Sequence, residues 1–131
     1  MTSQIGTFTY ASPEQIDGGE YNSSTDMFSL GVILFEMCHL PFSTGMERMV
    51  TISNAREGVY GTYWESLSKS NPGIATLLNQ LLSTTPSKRP TAANVVETCE
   101  MLKSQILNTA ADSKRNELEA EKKLSRDQWR L

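Results

Sequence analysis

The sequence predicts a mainly α-helical fold, and three patterns of apolar residues support this prediction. A nearly continuous apolar segment at residues 27–38 follows a cluster of capping residues at 22–26, a strong signal for the start of a helix. Two later segments repeat apolar residues every three or four positions, as one face of a helix requires. These repeats are Ile74, Leu77, Leu78, Leu81 and Leu82, and then Val95, Cys99, Leu102 and Ile106.

Composition and charge limit the classes of function. The 131 residues are 38% hydrophobic and 21% charged, as expected of a globular protein. A net charge of -3 gives no electrostatic reason to expect nucleic-acid or anionic-membrane binding. The longest apolar run, residues 27–40, is shorter than the roughly 20 residues of a membrane-spanning helix. We therefore expect a cytoplasmic protein with no nucleic-acid or membrane partner.

The two cysteines are expected to be structural. Cys38 and Cys99 both lie among apolar residues in predicted helices, and they lack the spacing of metal ligands. Reduced, buried thiols are typical of a cytoplasmic protein. The sequence therefore predicts neither a disulfide nor a metal site.

The first half of the chain is expected to run from a loop into a buried helix. Residues 1–21 are rich in Gly, Ser, Thr and Pro and predict a loop, with a short helical turn after Pro13. Asp26 directly precedes the apolar segment and is positioned to accept hydrogen bonds at a helix N-terminus. The helix at 27–38 is apolar on nearly every face, which predicts that it is buried inside a larger protein, with other elements around it.

Three further segments follow. Pro41 ends the apolar helix, and Thr44 or Gly45 begins the next one, with Met46, Met49 and Val50 on the face expected to pack. Residues 57–73 contain Gly, Asn and Pro and predict a loop. The helix over 74–82 ends before Pro86, and Thr91 caps the last helix.

The composition changes near the C-terminus. Residues 112–131 contain six basic and five acidic residues and only a few apolar ones. Such a pattern is typical of a solvated helix that frays at its end. We therefore divide the chain into a domain at 1–110 and a charged tail or linker at 111–131.

Three short motifs, in this order, carry a resemblance to a known family. They are Gly6-Thr7 with Ser12-Pro13-Glu14, Asp-Met-Phe-Ser-Leu-Gly-Val at 26–32, and Lys-Arg-Pro-Thr-Ala at 88–92. Together they resemble the C-terminal lobe of a eukaryotic serine/threonine protein kinase, from the end of the activation segment through helices F to I. The resemblance implies that residues 1–110 are part of a kinase domain.

The resemblance also implies roles for individual residues. Glu14 would form an ion pair with Arg89 and join the activation segment to the final helices. Asp26 would anchor helix F to the catalytic loop. The substrate-docking loop would include Thr7, Phe8 and Tyr10.

Within the kinases, the chain is most similar to those that phosphorylate the alpha subunit of translation initiation factor 2, particularly the amino-acid-starvation branch. The residues that carry this likeness are Thr-Ser-Gln-Ile-Gly-Thr at 2–7, the segment at 28–37, and Glu-Arg-Met at 47–49. By this likeness, Thr2 and Thr7 are candidate phosphorylation sites, where a phosphate would order the segment by pairing with arginines. The helix at 44–56 would dock the substrate through its exposed side, with Glu47, Arg48 and Thr51.

The chain contains no glycine-rich nucleotide loop, no His-Arg-Asp motif and no Asp-Phe-Gly motif. We therefore expect no catalytic residue, no metal ligand and no bound cofactor in these residues, with ATP and Mg²⁺ held elsewhere in a complete kinase, and no activity from this segment alone. The expected partners are the remaining, N-terminal part of the kinase and its protein substrate. The alternative is a non-catalytic kinase-like module that binds a partner through the helix at 44–56.

Overall fold

The computed structural model describes residues 8–130, and within that range it confirms a mainly α-helical fold without β-strands. Thr2, Gly6 and Thr7, which the sequence predicts to be functional, lie outside the described residues. The described elements are α1 (Pro13–Ile16), α2 (Ser23–Cys38), α3 (Gly45–Arg56), α4 (Tyr63–Ser70), α5 (Pro72–Leu81), a 3₁₀ turn (Pro86–Lys88) and α6 (Ala92–Gln128).

The chain divides into two units by its internal contacts. Among the described residues, the first unit ends at residue 95 and contains the hydrophobic core, whereas the second begins at residue 96 and consists mainly of the continuation of α6. The predicted frayed tail is thus part of one continuous helix of 37 residues. The compositional boundary at 110/111 falls inside that helix.

Helix α2 begins earlier than predicted, because Asn22 rather than Asp26 caps it. The Asn22 side chain accepts hydrogen bonds from the backbone N–H groups of Ser24 and Thr25, at 3.0 and 3.3 Å. The Thr25 hydroxyl accepts one in return from the Asn22 N–H, which completes a capping box. Asp26 is instead an exposed residue of the first turn, and its carboxylate accepts a hydrogen bond from the Tyr21 hydroxyl.

The core forms around one face of α2. Phe28, Val32 and Phe35 are fully buried there, and they pack in one cluster with residues of α3, α4 and α5. The described residues cover one face of α2, and the expectation that a larger protein surrounds this helix stays a prediction. Ile33 and Met37, on its other side, are 44% and 76% exposed.

Helix α3 buries a different face from the one predicted. Its buried residues are Ile52 and Ala55, which join the core. Met46 and Val50, expected to pack, are 74% and 51% exposed, and only Met49 of that stripe is partly buried. The prediction for Met46 and Val50 was therefore wrong.

The segment predicted to be a loop at 57–73 contains helix α4. Gly58 and Gly61 have positive φ angles of 85° and 71°, so the chain turns sharply before the helix begins. Leu67 then buries its side chain in the core, and α4 and α5 pack against each other. Aromatic rings stabilise the start of α4, since Trp64 stacks on Tyr60 with ring centres 4.1 Å apart.

The two cysteine thiols differ in burial. Cys38 is partly buried, but Cys99 is exposed, so the expected burial holds for one thiol only in part and not for the other. No helix among the described residues is both long enough and apolar enough to cross a membrane.

Candidate functional site

The candidate site centres on residues 8–12, which precede α1. We refer to them as the docking loop after the role expected of Phe8 and Tyr10. Side chains from two helices hold its backbone. The Ser29 hydroxyl of α2 donates to the carbonyl of Tyr10 at 2.6 Å, and the Arg56 guanidinium of α3 donates to the carbonyl of Thr9 at 3.0 Å. Ala11 and Ser12 are buried, whereas Phe8 is 41% exposed. The loop therefore has a fixed path and one exposed aromatic side chain.

Three side chains form a closed polar network that joins the docking loop to both helices. The Tyr10 hydroxyl donates to Glu36 of α2 at 2.8 Å. Arg48 of α3 donates to the same hydroxyl at 2.6 Å and pairs with Glu36 at 2.5 Å. The hydrogen bond to Glu36 raises the pKa of Tyr10, and the hydrogen bond from Arg48 lowers the pKa of Glu36. Both shifts have the same cause, an ionised Glu36 carboxylate that accepts hydrogen bonds from Tyr10 and Arg48.

Arg48, which is expected to face a docked partner, belongs to this network. Its guanidinium points to Glu36 and Tyr10, and its side chain is partly exposed. Glu47 is exposed as expected, although its carboxylate also accepts a hydrogen bond from the Ser43 N–H and so helps cap α3. Thr51 is partly buried.

The predicted partners Glu14 and Arg89 meet at the end of the docking loop. Arg89 donates two hydrogen bonds to the two carboxylate oxygens of Glu14, at 2.5 and 2.9 Å. Its side chain is fully buried, and it also donates to the carbonyls of Ser83 and Ser24. The bond from Arg89 is the main reason that the pKa of Glu14 falls to about 2. The two-pronged geometry is the one that arginine and carboxylate groups favour.

Arg56 and Arg89 both lie against the ring of Phe28, but only one of them has a carboxylate partner within the described part of the chain. The guanidinium carbons of Arg56 and Arg89 each lie 5.0 Å from the ring centre. Arg89 is neutralised by Glu14, whereas among the described residues no carboxylate forms an ion pair with Arg56. Such cation–aromatic contacts hold both guanidinium groups in place.

The described residues contain no group of three or more His, Cys, Asp or Glu side chains that could hold a metal ion. The sequence of 131 residues also lacks the glycine-rich loop that surrounds nucleotide phosphates.

Comparison with known proteins identifies the class of this chain. Residues 1–99 match the family model described as the protein kinase domain. The chain therefore belongs to the protein kinase family.

Among curated proteins, the chain is similar to kinases of translation initiation factor 2-alpha. It is 42% identical over 96 residues to eukaryotic translation initiation factor 2-alpha kinase 1 of Plasmodium falciparum, 40% over 111 residues to kinase 1 of Rattus norvegicus, and 39% over 98 residues to eIF-2-alpha kinase GCN2 of Arabidopsis thaliana. These matches cover 73%, 85% and 73% of this chain but only 6%, 16% and 8% of the relatives. The identities are too close together to favour one branch.

Sequence reasoning missed two residues of the site, Glu36 and Arg56. Glu36 could have been found, because it is the only charged residue in the apolar segment 27–38, and an isolated charge there requires a partner. Arg56 gave no such signal. It stands beside Glu57 at a helix end, where a solvated arginine is common.

Proposed function

We propose that this chain is the substrate-docking part of a protein kinase that phosphorylates the alpha subunit of translation initiation factor 2. The observation that carries the proposal is the network of Tyr10, Glu36 and Arg48, which joins the docking loop to α3. A rigid connection between these elements lets a substrate bound on α3 present its acceptor residue at a fixed place. The names of the similar kinases support the choice of substrate.

In this proposal the chain binds and orients, and other residues do the chemistry. Phosphoryl transfer needs ATP, Mg²⁺ and a catalytic aspartate. We propose that the remaining part of the kinase supplies them in the cytoplasm and that these 131 residues alone transfer no phosphate. Glu47 and Thr51 would contact the substrate, and Arg48 would act by holding Tyr10. Phosphate on Thr2 or Thr7 would further order the loop.

A chimeric kinase tests the substrate. The matching segment of the rat kinase, 40% identical over 111 residues, is replaced by this chain. We expect the chimera to phosphorylate initiation factor 2 alpha. We also expect Glu47→Lys to raise KM for that substrate without reducing autophosphorylation, because the substitution reverses a charge on the proposed docking helix.

Glu65→Lys is the matched control, since Glu65 is also an exposed acidic residue in the first turn of a helix, but of α4 rather than α3. A chimera that autophosphorylates but does not accept initiation factor 2 alpha would refute the proposed substrate. Phosphate transfer by the 131-residue chain alone, measured with labelled ATP, would refute the proposed division of labour.

A further inference from the structure

A groove lies between the docking loop, α1 and α3, on the side of Arg56. It encloses about 240 Å³. Phe8 and Ile16 line it and are 41% and 43% exposed, while Ile52 is fully buried and Met49 partly so. The lining is therefore mostly apolar, and large enough for one aliphatic side chain and a short polar group.

Arg56 is the only charged residue among those described in this groove. One of its N–H groups donates to the carbonyl of Thr9 at 3.0 Å, and the ring of Phe28 covers one side of the guanidinium. A guanidinium group carries five N–H donors, so most of them remain available for another acceptor. Among the described residues, every fully buried side-chain nitrogen or oxygen has a hydrogen-bond partner. The Arg56 nitrogens that have no partner are therefore not fully buried, and solvent reaches them.

The charge of Arg56 is incompletely compensated. Burial is the main influence on this residue and lowers the pKa of the guanidinium, and the negative charge of Glu57 opposes this shift. Arg89, on the same Phe28 ring, has a bidentate carboxylate partner, and Arg56 has none among the described residues. A partly desolvated cation held in place without its counter-ion favours an incoming anion.

We propose that this groove binds a peptide segment of a protein partner in which an aliphatic side chain adjoins a carboxylate. The aliphatic group would fill the space between Ile16, Met49 and Ile52, and the carboxylate would pair with Arg56. A single arginine matches one carboxylate, whereas phosphate groups are usually bound by clusters of arginines. An adjacent hollow, which Arg56 and Ile16 also line, contains Asp17 and Glu57, and their charges would repel an acidic group on that side.

This proposal is independent of the proposed kinase substrate, because it rests on Arg56 and the groove and not on the proposed substrate contacts, Glu47 and Thr51. Its test uses the ¹⁵N-labelled 131-residue chain and two probes of equal size, acetyl-Leu-Glu-amide and acetyl-Leu-Gln-amide. Chemical shifts of the backbone and of the Arg56 Nε–H are followed during titration. We expect the Glu probe to shift the signals of Arg56, Met49 and Ile16 and to bind on the order of tenfold more tightly than the Gln probe.

Two variants identify Arg56 as the source of this preference. Arg56→Gln should bind both probes equally. Because this substitution also weakens the contact to Thr9, Ile16→Glu provides a second variant at an exposed position of the rim. Its carboxylate belongs to the chain itself and should compete with the Glu probe. Lys69→Gln, an exposed residue of α4, removes the same charge elsewhere and should leave the preference intact.

Equal binding of the two probes by the unaltered chain would overturn the proposal. A preference for the Glu probe that survives in Arg56→Gln and in Ile16→Glu would overturn it as well. A third probe is acetyl-Leu-phosphoserine-amide. If it shifts the same signals and the Glu probe shifts none, the groove binds a phosphate rather than a carboxylate, and the proposed ligand class is refuted.

Discussion

Glu14 is the residue whose loss should weaken the fold most directly. The Arg89 side chain is fully buried, and Glu14 supplies its only carboxylate partner among the described residues. Glu14→Gln keeps the shape but removes the charge and leaves a buried cation, which should reduce the free energy of unfolding by about 3 kcal/mol. Urea denaturation followed by circular dichroism measures the change.

Glu20→Gln, at an exposed position, is the control and should have little effect on the free energy of unfolding.

The same pair of variants tests how the free energy of unfolding depends on pH. In the folded state the pKa of Glu14 is about 2, below its ordinary value of 4.5, so the pair stabilises the fold fully above pH 4.5. Its contribution is lost as the pH falls from 4.5 towards 2. A loss of the same size in Glu14→Gln over this range would contradict the assignment.

Tyr10 should report the polar network through its own ionisation. Its pKa is raised mainly by the hydrogen bond to Glu36 and also by burial. Glu36→Gln removes the negative charge beside the phenol, so the pKa of Tyr10 should fall, the more so because Arg48 remains nearby. A pH titration of the tyrosine ring signals by NMR measures the change.

Tyr60 is the internal control for that titration. Burial alone raises its pKa, so Glu36→Gln should leave it unchanged. Equal shifts of Tyr10 and Tyr60 would indicate a general loosening of the fold, and no shift of Tyr10 would mean that the network does not form.

At the level of elements, the crossing of α2 and α5 depends on Gly31. A Cβ atom at this position would lie 2.8 Å from the Cβ of Leu81 and 3.0 Å from a methyl of Leu82. Gly31→Ala should therefore destabilise the chain by about 1–3 kcal/mol, although alanine is otherwise the better helix former. Thermal unfolding measures the loss.

Gly45→Ala is the matched control, because Gly45 begins α3 and a Cβ there has no neighbour within 4 Å. We expect it to leave the melting temperature unchanged or slightly higher. A similar decrease for both variants would show that backbone freedom matters more than the close approach of α2 and α5.

The helices could be predicted where apolar residues recur at a regular spacing. Which face of each helix is buried could be predicted only in part. The pattern from Ile74 to Leu82 gave α5 correctly, because burial of Leu77, Leu78 and Leu81 repeats every three or four residues. Helix α4 was missed since Leu67 is its only buried residue and two glycines precede it. The face of α3 was misassigned because its two buried residues, Ile52 and Ala55, are matched by two exposed apolar ones, Met46 and Val50.

In the candidate site, contacts between residues in recognisable motifs could be predicted, whereas other long-range contacts could not. Glu14 and Arg89 could be expected to pair because each stands in a recognisable motif. The partners of Arg48 could not, since they lie 12 and 38 residues away in the chain and only the packing of α3 on α2 brings them together. Long-range pairs of this kind depend on tertiary structure.

At the level of the whole molecule, the two units should differ in local stability. Helix α6 has no buried residue, whereas α2 has five. A helix without tertiary packing is only marginally stable in water. Amide hydrogen exchange at residues 96–128 should therefore be much faster than in α2, as mass spectrometry of deuterated peptides would show. Equal protection in both would mean that the C-terminal part of α6 is stabilised by association, for example with a second chain.

The bond between Glu14 and Arg89 closes a loop of 75 residues, and this has a consequence for the order of folding. Contacts so distant in sequence carry a large entropic cost until the intervening helices have assembled, so the bond should form after the main barrier to folding. Its removal should then accelerate unfolding while the rate of folding stays nearly the same. The pair would thus determine how long the native state lasts rather than how quickly it is reached.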